Sequence, residues 1–269
     1  MNPFLTIKQG TSPLILSIPH AGTMLPPDIT VALNDLGRSV PDTDWWIDRL
    51  YAPLAKHFDA SIVMTHLSRT VIDVNRGGDG ASLYPGQNTT PLCATTTFDN
   101  QAIYRVGCEP DTESIDTRKT LYYQPFHDAL QTMIQTVNTR HGHAVLYDCH
   151  SIRSVVPFLF EGALPTLNLG TFGGVSCSPS VQMAAERAMA QSGLSTISNG
   201  RFKGGFITRN YGCQKTRIEA LQMEIAQSAY MDEAPPWTWN AARAATLQKT
   251  LATIIEAVLA AAHTAHSTR

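Results

Sequence analysis

The chain has 269 residues, of which 43% are hydrophobic and 16% are charged, and its formal net charge is −2. This charge balance argues against a broad surface for nucleic acid or anionic lipid, and apolar runs such as residues 14–19 are too short to cross a bilayer. Five cysteines, no two of which form a CxxC pair, predict reduced thiols in a cytosolic protein.

The first half of the chain alternates between strand-like and helix-like patterns. PLILSIPHAG is a compact apolar run that predicts a buried strand with His20 at its carboxyl end. In PDTDWWIDRLYAPLAKHF the apolar residues recur at helical spacing, so we expect a helix with Asp42 at its N-cap and Asp44 in its first turn. DASIVMTHLSRTVIDVNRGG is strand-like again and predicts a strand that ends at Asn75 and Arg76.

The second half begins with residues 79–112, which are rich in Gly, Pro, Thr and Asn and predict a long ordered loop. An amphipathic helix is expected over residues 114–141, and AVLYDCH then predicts a strand that ends at His150. GRFKGGFITRNYG predicts a glycine-rich loop or hairpin that carries Arg209, and TRIEALQMEI predicts a strand that carries Glu224. This alternation, which closes with an alanine-rich helix, favours an α/β domain with a mainly parallel sheet.

Two histidines at predicted strand ends are candidate metal ligands, because sites in parallel sheets collect where the strands end. His20 and His150, together with Asp44, provide the two imidazoles and the carboxylate that suit a catalytic zinc, which keeps a further position open for water. Asp148 could orient an imidazole through its second ring nitrogen. The alternative for either histidine alone is a hydrogen-bonded structural role.

The identity of the acidic ligand is open at this point. Asp48 lies one helical turn after Asp44 and could replace it, and Asp42 could do so if the helix begins later. A pair of aspartates at this spacing is also common on a solvated helix face.

Two arginines and one glutamate complete the candidate site. Arg76, beside Asn75, can hold a carboxylate through two hydrogen bonds, and Arg209 lies among glycines, where backbone can approach a small ligand. Glu224 lies in an apolar strand, where burial would raise its pKa towards the range of a general base. The alternative for each of these residues is an ordinary ion pair.

Seven motifs then follow one another along the chain: SIPHAG, DTDWWIDRLY, SRTVIDVNR, LYPGQNTTPLC, YDCHS, FKGGFITRNYG and ALQMEIAQSAYMDE. In this set the chain resembles the N-formylglutamate amidohydrolase (deformylase) family over nearly its whole length. The resemblance implies an α/β fold of the phosphorylase/hydrolase, zinc-exopeptidase type. It also implies hydrolysis of N-formyl-L-glutamate to formate and L-glutamate in histidine degradation.

The resemblance further implies a relation to the zinc carboxypeptidases, which have a ligand histidine, an acidic ligand, an Asn-Arg carboxylate clamp, a second ligand histidine and a catalytic glutamate in that order. The matching residues here are His20, Asp44, Asn75, Arg76, His150 and Glu224. Carboxypeptidases carry the acidic ligand within three residues of the first histidine, where this chain has Ala21, Gly22 and Thr23. None of these three residues can serve as the acidic ligand. The departure from the carboxypeptidase pattern therefore concerns the assignment of Asp44.

We therefore predict one zinc-dependent amidohydrolase domain over residues 1–269, which acts in the cytoplasm on a small acidic N-formyl amino acid. The predicted roles are metal ligand for His20, Asp44 and His150, proton carrier for Glu224, and substrate binding for Asn75, Arg76 and Arg209. The alternatives are a zinc amidohydrolase for another N-acyl acidic amino acid and a metal-free dicarboxylate-binding protein. A Cys149 nucleophile is a third, but that side chain is expected to face away from His150.

Overall fold

Seven strands form one sheet in the computed structural model, which describes residues 2–81 and 88–267. The strands are β1 Leu5–Lys8, β2 Leu14–Ile18, β3 Ser61–Thr65, β4 Ala144–Ile152, β5 Leu167–Gly170, β6 Thr196–Ser198 and β7 Ile218–Ala226. Their order across the sheet is β1-β3-β2-β4-β7-β5-β6. The β1–β3 and β5–β7 pairs are antiparallel and the other pairs are parallel, so the predicted mixed, mainly parallel sheet is confirmed.

Helices cover both faces of this sheet. They are α1 Pro27–Ala32, α2 Asp35–Arg38, α3 Ile47–His57, α4 Thr112–Arg118, α5 Gln124–His141, α6 Pro179–Ala190, α7 Phe206–Tyr211 and α8 Ala241–Ser267. Because side chains alternate along a strand, Leu14 and Leu16 pack in a core with α3, α6 and α8, whereas Ile15 packs in a second core with α5. The result is the three-layer α/β arrangement expected from the sequence.

Helix α8 is long and apolar enough to cross a membrane by length and hydropathy alone. One of its faces, however, is built into the first core through Ala244, Leu247, Leu251, Ile254, Ile255, Val258 and Ala262. A core helix of a globular protein shows the same composition.

The helix predicted over residues 114–141 is confirmed, with an unexpected interruption. Helix α4 passes through a π-helical turn, Lys119–Tyr123, into α5. The predicted apolar face is buried through Phe126, Leu130, Met133, Ile134 and Val137.

The placements expected for Asn75 and Arg76 and for Arg209 are wrong. Strand β3 ends at Thr65, so Asn75 and Arg76 lie in a non-strand segment; its apolar residues Val71, Ile72 and Val74 nevertheless pack in the core beneath α5, which explains the strand-like pattern. Arg209 lies in the short helix α7 and not in a loop or hairpin. In the predicted loop over residues 79–112, the described residues 88–111 contain no helix or strand. Residues 82–87, which include the first five residues of the LYPGQNTTPLC motif, lie outside the described chain.

Candidate metal centre and active site

The predicted site residues come together beyond the carboxyl ends of the central parallel strands. His20 lies two residues after β2, and His150 lies near the end of β4. Glu224 of β7 is in direct register with His150, so both side chains lie on the same face of the sheet. Cys149 packs in the core on the opposite face, where burial raises the pKa of its thiol well above the ordinary value. This orientation is the one expected for Cys149.

His20, Asp44 and His150 are buried, and one ligand atom from each lies within 4.8 Å of the others. Nδ1 of His150 is 3.3 Å and Nδ1 of His20 is 3.9 Å from Oδ2 of Asp44. Nδ1 of His20 has no hydrogen-bond partner among the described residues, although it is fully buried. Burial, followed by the charge of Arg69, lowers the pKa of His20 and keeps a lone pair on its ring. An unpaired imidazole nitrogen beside a carboxylate and a second imidazole fits a divalent metal of the zinc type.

The outer nitrogen of each imidazole is held by a carboxylate. Nε2 of His20 lies 2.7 Å from Oδ1 of Asp73, and Nε2 of His150 lies 2.9 Å from Oδ2 of Asp148. With the proton on Nε2, both rings donate outwards to these carboxylates and leave Nδ1 on the side of Asp44. Metal-bound histidines have the same arrangement, in which one ring nitrogen donates to a carboxylate and the other is left for the metal. The expected orienting role of Asp148 therefore has the required geometry, whereas Asp73 was not anticipated.

Asp44 is the one of the three candidate aspartates that faces the imidazoles. It lies before α3, which begins at Ile47, and not in the first turn of that helix as expected; its Oδ2 accepts a hydrogen bond of 2.9 Å from the Ser151 amide. Asp48 is exposed on α3. Asp42 does not cap the helix but accepts a hydrogen bond of 2.7 Å from the Phe98 amide.

Arg69 joins two of these carboxylates. Its guanidinium is 3.4 Å from Oδ1 of Asp44 and 2.8 Å from Oδ2 of Asp73, and it stacks over the Phe98 ring at 4.8 Å. The arginine thus fixes Asp44, which faces the two imidazoles, and the aspartate that orients His20. Arg69 and Asp73 were missed, although two charged residues within the apolar SRTVIDVNR segment were a usable signal.

Glu224 is 6% exposed and accepts a hydrogen bond of 3.1 Å from Gln222. Burial, opposed by the charge of His150, raises the pKa of Glu224 to about 7. A carboxylate with such a pKa, beside a group of side chains that could hold a metal, is suited to carry protons near neutral pH.

An open cavity leads to Glu224 and the two imidazoles. Its lining includes His20, Arg69, Asp73, Asn75, Arg76, Asn88, Thr90, Phe98, His150, Ile152, Leu159, Arg201, Phe202, Gly205, Gln222 and Glu224. Three of these residues are arginines, which makes the cavity suited to an anionic ligand.

Arg76 and Arg201 lie in the cavity wall, whereas Arg209 does not belong to its described lining. Arg76 donates to the Thr90 hydroxyl at 3.3 Å. Arg201 donates to the carbonyls of Leu159 and Asn88 at 2.8 and 3.0 Å. Arg209 instead stacks over Phe172 at 4.6 Å. The motif spacing could not distinguish Arg201 from Arg209, because both lie in the same glycine-rich GRFKGGFITRNYG segment.

The side-chain amide of Asn75 is occupied by the protein. Its nitrogen donates to Oδ2 of Asp148 at 3.2 Å, and its oxygen accepts from the Ile207 amide at 2.8 Å. A Cβ atom at Gly205 would lie 2.4 Å from this amide, so only glycine allows α7 to begin so close to it. Asn75 therefore orients Asp148 and α7, although it also lines the cavity.

Comparisons with known proteins agree with the residue pattern. The model of the N-formylglutamate amidohydrolase family matches residues 12–231. The N-formylglutamate deformylases of Pseudomonas putida and Pseudomonas aeruginosa are 41% and 40% identical over 261 residues, with 97% of each chain covered. The crystal structure of N-formylglutamate amidohydrolase from Ralstonia eutropha JMP134 superimposes with a TM-score of 0.79 at 25% identity, covering 94% of this chain and 97% of that one.

Proposed function

We propose that this chain, which belongs to the N-formylglutamate amidohydrolase family, hydrolyses N-formyl-L-glutamate to formate and L-glutamate. The names of relatives at 40–41% identity support the substrate. The observation that carries the chemistry is the buried Glu224, with its raised pKa, beside the His20–Asp44–His150 group in a cavity that arginines line. The reaction class this set serves is hydrolysis of an amide.

We propose Zn²⁺ as the metal, held by His20, Asp44 and His150. Two imidazole nitrogens and one carboxylate oxygen form a donor set that catalytic zinc uses, with a position left open. When bound there, such an ion supplies Lewis-acid chemistry, which polarises a carbonyl oxygen and lowers the pKa of water.

Glu224 is the proposed proton carrier. In its ionised form it accepts a proton from the attacking water as the new C–O bond forms at the formyl carbon. It then delivers that proton to the amide nitrogen as the C–N bond breaks, and formate and the amino group of glutamate separate. The pKa of about 7 allows Glu224 to perform both transfers near neutral pH.

Arg76 and Arg201 are proposed to hold the two carboxylates of the glutamate moiety. Both line the cavity, and each is anchored by hydrogen bonds that fix the direction of its guanidinium. Holding the substrate at two charged groups fixes the small formyl group beside Glu224, where misplacement would cost rate. Arg201 takes the position in this scheme that the sequence suggested for Arg209.

A substrate panel tests the proposed reaction. We expect the protein to release formate and glutamate from N-formyl-L-glutamate, and to cleave N-acetyl-L-glutamate and N-formyl-L-leucine far more slowly. N-acetyl-L-glutamate tests whether the site accommodates a larger acyl group. N-formyl-L-leucine tests whether the side-chain carboxylate of the substrate is required. Comparable rates on all three compounds, or none on the formyl compound, would contradict the proposal.

The two arginine assignments are separated by a matched pair of variants. Arg201→Met should raise KM for N-formylglutamate about 10- to 100-fold, since it removes hydrogen bonds to a charged group. Arg209→Met deletes the same charge outside the cavity and should change KM much less. If Arg209→Met raised KM more than Arg201→Met does, the carboxylate contact would be assigned to Arg209.

A further inference from the structure

The segment that carries the candidate site residues Asp73, Asn75 and Arg76 belongs to no strand or helix. Its backbone carbonyls are nevertheless hydrogen-bonded from one side by three side chains of the α4–π–α5 helix. The three bonds are Arg118 Nη1 to the Val71 carbonyl at 3.0 Å, His127 Nε2 to the Val74 carbonyl at 2.9 Å, and Tyr123 Oη to the Arg76 carbonyl at 2.8 Å. None of the three donors belongs to the described lining of the cavity, so they hold the segment from outside the cavity.

The π-helical turn explains how three side chains reach one segment. In a regular α-helix, residues five apart such as Arg118 and Tyr123 point roughly 140° away from each other. In the π turn Lys119–Tyr123 the backbone hydrogen bonds join residues i and i+5, and this wider turn brings Arg118 and Tyr123 towards one face. His127 follows Tyr123 by four residues and shares that face through ordinary α-helical spacing.

The three donors are buried, and their chemistry suits the carbonyls they face. Arg118 and Tyr123 are each 7% exposed and His127 is 6% exposed. Burial lowers the pKa of His127 to about 4, so the ring is neutral; Nε2 carries the proton that is donated to Val74, and Nδ1 accepts from the Tyr211 hydroxyl at 2.9 Å. A buried carbonyl that lost its donor would carry a substantial desolvation cost.

We propose that Arg118, Tyr123 and His127 are positioning residues that hold the Asp73–Arg76 segment in the geometry that binds the substrate carboxylate. The inference rests on the proposed function, in that Arg76 is the group that contacts the substrate. Tyr123 acts most directly, because its hydroxyl bonds the carbonyl of Arg76 itself.

Tyr123→Phe tests this proposal with the smallest change, since it removes only the hydroxyl. We expect KM for N-formylglutamate and the inhibition constant for free glutamate to rise together about fivefold, the effect of one hydrogen bond, with kcat within about twofold of the parent. Tyr122→Phe is the matched control on the same turn; its ring contacts Phe4 and it should leave both constants unchanged. His127→Phe, which keeps an aromatic ring but loses the donor to Val74, should repeat the KM effect.

A double-mutant cycle distinguishes positioning of Arg76 from general loosening. In an Arg76→Met background, Tyr123→Phe should change KM less than about twofold, because the group it positions is gone. The same fivefold effect in both backgrounds, a fall in kcat at constant KM, or unchanged constants in Tyr123→Phe and His127→Phe would overturn the proposal.

Calorimetric titration with glutamate keeps this test separate from the proposed reaction. If the parent binds glutamate but does not cleave N-formylglutamate, the proposed function fails, while the loss of glutamate affinity in Tyr123→Phe still supports the positioning role. If the parent cleaves N-formylglutamate and Tyr123→Phe binds glutamate like the parent, the positioning role fails and the proposed function stands.

Discussion

Two buried carboxylates near the same cavity have pKa values shifted in opposite directions. Burial alone would raise the pKa of Asp44, but its close contact with His150 and the charge of Arg69 outweigh burial and lower the pKa. Burial dominates at Glu224 and raises the pKa to about 7. One carboxylate thus stays ionised next to the imidazoles while the other exchanges a proton, a division of labour that suits metal-assisted hydrolysis.

Glu224→Gln tests the role of the second carboxylate. The amide keeps the size and hydrogen-bonding atoms of Glu224 but cannot accept a proton at neutral pH. We expect kcat to fall at least about 100-fold, with metal content and glutamate inhibition close to those of the parent. Turnover near the parental rate would assign Glu224 a structural role in β7.

The pH profile extends this prediction. Because the ionised form of Glu224 accepts the proton, kcat/KM should fall as the pH drops through its pKa. A cation bound by His20, Asp44 and His150 would favour the ionised form of Glu224, so the acidic limb should lie at or below the pKa of about 7. A parental profile that stays flat from pH 8 to pH 5 would contradict the assignment.

The residue types of the site were predictable from the sequence, but not all of its members were. His20, His150 and Glu224 each lie in or just beyond an apolar strand, where a polar side chain requires a reason. Arg201 offers no such signal, because its place in the cavity wall depends on long-range contacts to Asn88 and Leu159.

The turn before helix α3 explains why the acidic ligand was ambiguous in the sequence. Trp46 adopts a left-handed backbone, with φ of 62°, and the helix starts only after it. The preceding turn is held by Gln227, which donates to the Thr43 carbonyl at 3.0 Å, and by Tyr230, which donates to the Trp45 carbonyl at 2.8 Å. These two bonds bracket Asp44 and aim it at the imidazoles, an effect of distant chain that local spacing does not reveal.

Paired alanine variants test this geometry. Asp44→Ala should weaken zinc affinity at least about 100-fold, more than is typical for loss of an outer hydrogen-bond partner. Asp48 lies four residues after Asp44 on the exposed face of α3, so Asp48→Ala should leave the zinc affinity unchanged. Competition with a chelating indicator would measure both; the reverse order of effects would move the ligand to Asp48.

The π-helical turn is a second feature at the scale of helices and turns that the sequence did not reveal. An amphipathic pattern identifies the long helix, but one additional residue in a turn shifts the pattern by too little to be read from apolar positions alone. Its consequence is visible only in which carbonyls Arg118, Tyr123 and His127 reach.

At the scale of the whole molecule, the three-layer arrangement followed from the alternation of strands and helices, whereas the meeting of the site residues did not. Residues 20, 44, 150 and 224 come together because β2, β4 and β7 are neighbours in the sheet, an order that strand patterns alone do not specify. The single domain over residues 1–269 stays a prediction, supported by the one sheet. The cytoplasmic location also stays a prediction.

The central claim is that the reaction depends on a metal ion held by His20, Asp44 and His150. Emission spectrometry of protein purified without added metal or chelator, combined with activity before and after chelation, tests it most directly. We expect about one transition-metal ion per chain, loss of activity on its removal and recovery on addition of Zn²⁺. Fully active protein that contains no transition metal, with a rate that chelators leave unchanged, would contradict the account.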